Sequence, residues 1–171
     1  MDTGTSQFGI PDAVFPDVTF NIQGYFTSLG PSLLMMFGGA MAIREMGGKR
    51  RVLLVVGDGA LQLGIQELGT IIKETLDVIM RVHYTRSFGY TIERALLKPS
   101  RAYHEIPSYN YKHMLPCFGH ESSNLTRVGT KAEFEAAVAS KSYTSPTPIQ
   151  LMDHMDLPWR IKEMVKNRPR A

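Results

Sequence analysis

The chain of 171 residues holds one cysteine, Cys117, so no intramolecular disulfide can form. An unstapled chain of this size suits a reducing compartment. Cys117 follows Pro116 among apolar residues and reads as a core position rather than a nucleophile. Long hydrophobic runs are also missing. The most apolar stretch, around residues 33–43, is too short and too rich in glycine to span a bilayer. The first residues are acidic and polar, unlike a signal peptide, and a cytoplasmic protein with no membrane partner is expected. No repeat, low-complexity tract or linker divides the chain. No G-x-G-x-x-G fingerprint argues for a generic nucleotide binder. His104-Glu105 and the Asp153, His154, Asp156 group have no zinc-like spacing and read as structural. Charge of one sign is scarce: the formal net charge is +3. Much of that excess is Arg160, Lys162, Lys166, Arg168 and Arg170, with Glu163 the one acid among them. Such a tail can meet nucleic acid or anionic lipid. With no nucleic-acid motif beside it, it reads as a solvated end, and no nucleic-acid partner is expected. Trp159, Tyr25, Phe26 and Tyr90 read as packing residues rather than a base-stacking platform.

What is present is a folding composition, 43% hydrophobic and 20% charged, enough for one domain over residues 1–171. Its most informative stretch is 51–72, RVLLVVGDGALQLGIQELGTII. Residues 52–56 are continuously apolar and rich in β-branched residues, as in a strand buried on both faces. Gly57, Asp58 and Gly59 break the run, and residues 60–75 then carry Leu61, Ile65, Leu68 and Ile72 at helical spacing. An open α/β sheet binds ligands beyond the carboxyl end of a strand, at the positive end of a helix. The glycines let the backbone turn sharply and approach a phosphate, and Asp58 adds a hard oxygen of the kind Mg²⁺ prefers. An ordinary Asp-Gly turn would look the same.

Elsewhere, residues 1–27 read as loop, held open by Pro11 and Pro16. Residues 29–46 read as a helix with Leu33, Phe37, Met41 and Arg44 on successive turns, ended by Gly47-Gly48. Gly38-Gly39 inside it suggests close packing against a strand or a cofactor. Further strands are expected at 78–83, 125–128 and 149–152. Helices are expected at 91–97, near 111–115, at 130–139 behind a Thr130/Glu133 capping box, and at 158–166. Strand and helix in alternation argue an α/β fold: an open, mostly parallel sheet with helices on both faces.

The blocks GDGALQLGIQELGTII (57–72) and GYTIERALLKPSRAYHEI (89–106) resemble the pyruvate decarboxylase family of thiamine diphosphate enzymes. Thr3-Gly4-Thr5-Ser6 with Phe8-Gly9-Ile10, Phe15-Pro16, Ser28-Leu29-Gly30, His113-Met114-Leu115-Pro116, Phe118-Gly119 and Arg127-Val128 follow in the family's order, from about residue 2 to about residue 155. The resemblance implies the carboxyl-terminal, diphosphate-type domain of a thiamine diphosphate-binding fold. The family's pyrimidine-binding and middle domains are expected upstream of Met1, outside these residues.

The same resemblance implies site roles. Asp58 would bind Mg²⁺ through its carboxylate and Gly89 through its backbone carbonyl. A family asparagine about 27 residues beyond the aspartate is missing, and no asparagine lies between residues 59 and 109. Counting back from Gly89 puts Ser87 in its place, whereas counting 27 residues on from Asp58 puts Thr85 there. Arg86 is an alternative that would meet the diphosphate directly. Gly57, Gly59, Ala60 and Ile92 would cradle the diphosphate, Ala60 without the hydroxyl of the family's usual serine. Thr5 would touch the aminopyrimidine, and Leu29 would prop the bent cofactor. Thr27 stands where the family has a glycine whose carbonyl accepts from the cofactor's amino group. Glu93 would handle the substrate carboxylate and a later proton transfer. Turn, core-packing and helix-start roles would account for Thr5, Leu29 and Glu93 equally.

The implied activity is non-oxidative decarboxylation of a 2-oxo acid, pyruvate first, to an aldehyde and CO₂, with thiamine diphosphate and Mg²⁺ as cofactors. The family's chemistry also needs a glutamate from the pyrimidine-binding domain of a second, full-length subunit, within a homo-oligomer. The chain alone is therefore expected to be inactive. The alternative is a non-catalytic truncated paralogue, or an interaction module that pairs with a full-length decarboxylase.

Overall fold

The computed structural model describes residues 1–13, 16–23, 25–85, 102–120, 125–140 and 149–153, together with Glu163 and Asn167. Four strands, β1 (Val52–Gly57), β2 (Val78–Tyr84), β3 (Leu125–Val128) and β4 (Ile149–Asp153), form one sheet in the order β1-β2-β4-β3. Every pairing is parallel. Leu54 lies opposite Met80 and Val56 opposite Val82, so one face of β1 and β2 is a continuous apolar surface. Helix α2 (Pro31–Glu45) covers it with Leu33, Met36 and Ala40, joined by Leu61, Leu68 and Ile71 in one core. On the opposite face, the Arg81 guanidinium lies 4.5 Å from the ring centroid of Phe134, which belongs to α6 (Lys131–Ala139). The α/β reading with helices on both faces therefore holds.

The local signals are realised where they were strongest. Thr130 Oγ1 accepts from the Glu133 amide, and Glu133 Oε2 accepts from the Thr130 amide, forming the capping box at the start of α6. Gly47, at φ 67°, ends α2 in the left-handed region, and the Gly48 amide donates back to the Ile43 carbonyl at 2.8 Å.

Five expectations are corrected. β1 is an edge strand among the described residues, and Leu53 is 42% exposed rather than buried. The helix expected over 60–75 is two, α3 (Asp58–Gln62) and α4 (Glu67–Lys73). Between them the amides of Leu63, Gly64, Glu67 and Leu68 each donate three residues back, tightening the chain where it presses on the start of α2. A Cβ on Gly64 would sit 3.4 Å from the Gly30 carbonyl oxygen. Gly38 and Gly39, by contrast, have nothing among the described residues within 4 Å of where a Cβ would be, so packing against a strand does not explain them. Cys117 is exposed: it ends α5 (Met114–Cys117), a single turn that points Met114 and Leu115 inward. Finally, the first residues are not all loop: α1 (Thr5–Gly9) runs into a 3₁₀ turn, Ile10–Asp12. The helix expected at 91–97 lies outside the described residues, as does that at 158–166 apart from Glu163.

Candidate functional site

β1 stops at Gly57 and α3 starts on the next residue, so Asp58 stands at the carboxyl edge of the sheet. Gly57 is paired with His83 of β2, which brings the end of β2 alongside. Thr85, just beyond that end, meets the Asp58 carboxylate. Its amide donates to Oδ2 at 2.7 Å, and its hydroxyl lies 3.1 Å from Oδ1 and 2.9 Å from Oδ2. The Gly59 amide donates to Oδ1 at 3.0 Å. Asp58 is only 3% exposed. Burial pushes its carboxyl above the usual carboxylate range, while the Thr85 and Gly59 hydrogen bonds hold it down.

A wall built from residues 106–111 closes one side. The Ile106 side chain crowds Gly59, where a Cβ would come within 3.3 Å of it. The Tyr111 hydroxyl donates to the Asp58 carbonyl at 3.3 Å, and burial pushes its pKa up to about 12. Gln62 Nε2 donates to the Pro107 carbonyl at 2.8 Å, fixing the wall to α3. The Tyr84 ring meets Tyr111 edge-on at 5.5 Å, and its hydroxyl is 3.1 Å from Ser108 Oγ.

The second part is the approach to α2. Thr27 adopts φ 48° and Gly30 φ 92°, both left-handed. A Cβ on Gly30 would collide with Leu63 Cβ at 2.7 Å, so glycine is required there on two counts. Thr27 has the conformation a glycine favours but carries a β-branched side chain. Leu29 is exposed beside this turn. The Gly30 and Gly64 contact sets the turn against the corner after α3. The carboxylate of Asp2, buried with 1% exposure, accepts from the Gly30 and Ser32 amides.

Gly57, Asp58, Gly59 and Ala60 thus lie in one turn, with Thr85 against them and Thr27 and Leu29 on the neighbouring loop. Ala60 contributes its methyl to the core. The Gly59 amide is engaged by Asp58, which leaves Ala60 as the first-turn backbone donor without a helical acceptor four residues back. Thr5 lies in α1, and its side chain is outside the description. Arg86, Ser87, Gly89, Ile92 and Glu93 lie outside the described residues. Asp2, Ile106 and Tyr111 are additions that sequence reasoning missed. Each acts on residues 28 to 53 positions away, and no local pattern marks them.

Residues 2–150 match the family described as thiamine pyrophosphate enzyme, C-terminal TPP binding domain. The chain belongs to that family. Pyruvate decarboxylase isozyme 1 of Saccharomyces cerevisiae is 35% identical over 170 residues, covering 96% of this chain and 30% of that protein. Pyruvate decarboxylase of Aspergillus terreus is 37% identical over 157 residues, covering 90% of this chain and 27% of its own. The chain therefore spans less than a third of the length of these relatives. Benzoylformate decarboxylase from Polynucleobacter necessarius shares the fold, with a TM-score of 0.65 and 23% identity over 77% of this chain and 25% of that one. Thiamine diphosphate with Mg²⁺ is the cofactor pair of this family.

The donor set here fits such a cation. An ionised carboxylate offers roughly four lone-pair sites. The Gly59 amide, the Thr85 amide and the Thr85 hydroxyl meet three of those on Asp58, and the Asp58 amide is a fourth donor, so a metal would take the place of one of these hydrogen bonds. The side-chain ligand atoms that these two residues offer are the Asp58 carboxylate oxygens and the Thr85 hydroxyl oxygen, the hard oxygens such a cation takes. No group of three or more His, Cys, Asp or Glu side chains among the described residues offers a competing centre.

Proposed function

We propose that residues 1–171 are the diphosphate-binding domain of a 2-oxo-acid decarboxylase of the pyruvate type. The observation that carries this is the contact of Asp58 with Thr85 across the carboxyl ends of β1 and β2. It is supported by the family match over the same residues. When bound, thiamine diphosphate supplies the carbanion chemistry that releases CO₂ from a 2-oxo acid and leaves an aldehyde.

The chain's own residues bind and orient. Asp58 holds the metal, with Thr85 as the nearest second ligand; Ser87 is the alternative, and the Gly89 carbonyl completes the set. Gly57 and Gly59 let the backbone approach the diphosphate, and the amides of Ala60 and Ile92 donate to it. Ile106 and Tyr111 keep water from one side. The Thr27 carbonyl receives the cofactor's amino group, Thr5 touches its pyrimidine, and Leu29 supports its bend. Glu93 handles the substrate carboxylate and a proton. The partner is the pyrimidine-binding domain of a full-length subunit, in a homo-oligomer. Exposed Val18, Phe20, Tyr25, Phe26, Leu34 and Met35 favour a protein neighbour. No helix among the described residues is long and apolar enough to cross a membrane, and a cytoplasmic site of action is proposed.

Calorimetric titration of thiamine diphosphate into the chain tests this. Binding should need Mg²⁺, vanish with chelator, and weaken at least tenfold in Asp58→Ala. An Asp58→Ala affinity equal to wild type refutes the metal role. Acetaldehyde release from pyruvate by the 171-residue chain alone should not exceed a heat-killed control.

The same exposed apolar residues favour a second reading, an interaction module that joins a full-length decarboxylase without contributing catalysis. It predicts association with such a decarboxylase in sedimentation, with no Mg²⁺-dependent cofactor binding by this chain.

A further inference from the structure

We propose that Asp2 is a positioning residue: its buried carboxylate latches the 27–30 turn, and with it the cofactor-facing Thr27 and Leu29, onto β1. Helix α2 begins with Gly30 at the N-cap and Pro31 in its first turn, and no side chain of its own end caps it. Proline has no amide to satisfy. Of the remaining first-turn amides, those of Gly30, Ser32 and Leu33, Asp2 accepts from the first two. Gly30 donates to Oδ1 at 3.1 Å and Oδ2 at 3.2 Å, and Ser32 donates to Oδ2 at 3.2 Å. A carboxylate here also meets the positive end of a fifteen-residue helix.

The other side of the latch is the sheet. The Asp2 amide donates to the Val55 carbonyl at 3.0 Å. Val55 lies in β1, three residues before Asp58 and the corner that β1 leads into. One residue therefore ties the corner that carries Asp58 to the turn that carries Thr27 and Leu29. That turn needs holding. Thr27 at φ 48° is a β-branched residue in the left-handed region, where it persists only if its surroundings over-determine it. Asp2 supplies that constraint through a contact 28 residues away in sequence.

The role in cofactor placement rests on the function proposed above, and the test separates the two. Amide hydrogen exchange of the full chain reads the latch without any ligand. In Asp2→Ala the Gly30 and Ser32 amides should exchange at least tenfold faster, while the β1 amides change less than threefold. Asp2→Asn keeps one acceptor and the size, and should give a smaller acceleration at the same two amides. Thr27→Gly in the Asp2→Ala background should recover part of the protection, because it relieves the strain that the latch opposes. Unchanged exchange at Gly30 and Ser32, or equal acceleration across β1 and α2, overturns the latch.

Two ligands then read positioning. Inorganic pyrophosphate with Mg²⁺ engages only the Asp58 corner, whereas thiamine diphosphate also needs the 27–30 turn. Asp2→Asn should weaken thiamine diphosphate about tenfold and leave pyrophosphate within twofold, a split that general destabilisation would not produce. Equal weakening of both overturns the positioning role. If wild type binds neither ligand, the positioning role and the proposed function both fail, and the exchange result still decides the latch.

Discussion

The corner at residues 57–61 and the segment at 16–30 lie side by side and are built on opposite terms. In the corner, buried polar atoms are answered by the neighbouring chain: Asp58 is met by Gly59 and, across the sheet, by Thr85, and Leu61 is fully enclosed. In the segment, Tyr25 is 91% and Phe26 76% exposed, and Asp17 and Thr27 both sit at positive φ. The corner is satisfied by packed elements of the same chain, so its geometry survives without a partner. The segment carries strain and open apolar surface, so its geometry is borrowed from contacts elsewhere. Asp2 is the one such contact within the described chain that reaches it through a buried charge. A site assembled from both regions is thus half rigid and half dependent.

The sharpest way to break this contrast is to cut the corner's core. Leu61→Ala should destabilise the chain by about 3 kcal/mol, in the lower part of what a cavity at a fully buried leucine costs. A loss below about 1 kcal/mol in urea denaturation would mean the corner is no better packed than the segment. Acid should act on the corner to a similar extent. Burial, with Arg81 nearby, pushes the His83 imidazole down to about 4 from an ordinary 6.5. The unfolded chain therefore binds the proton first as pH falls. The stability due to neutral His83 is complete above pH 6.5 and is lost progressively down to about pH 4. The loss is on the order of 3 kcal/mol. His83→Leu should flatten that part of the pH–stability curve, and an unchanged slope would remove His83 as its cause.

Smaller effects belong to the segment. Thr27→Gly relieves a left-handed β-branched residue, worth about 1–2 kcal/mol, but adds about 0.5–1 kcal/mol of unfolded-state entropy. A net gain of roughly 0.5 kcal/mol is expected from chemical denaturation; a net loss would mean the threonine side chain makes a compensating contact. Phe26→Ala should change stability by less than about 0.5 kcal/mol, as for an exposed side chain away from packing. A larger loss would show that the segment is buried in solution, by a second copy or otherwise.

What was legible in the sequence follows the same division. The run at 52–56, the glycines of the corner and the Thr130/Glu133 box act over a few residues, and each became the element it signalled. The split of the 60–75 helix was not legible, because its cause is the approach of Gly30 from a distant helix start. Nor was the exposure of Cys117: its apolar neighbours suggested burial, but one turn of helix aims it the other way. Two counts offered Ser87 or Thr85 as the missing asparagine's substitute, and only the parallel register of β1 with β2 brought Thr85 to Asp58.

By itself, then, the sequence determined the α/β class, the place of the strand-to-helix corner and the family, because periodicity, glycine geometry and ordered motifs are local or cumulative signals. The tertiary structure alone decided which residues complete the corner: Thr85 across the sheet, Ile106 and Tyr111 from the wall, and Asp2 beneath the start of α2. Those contacts join positions 27 to 53 residues apart. They depend on how strands align and helices settle on the sheet, which no pattern within a single element encodes.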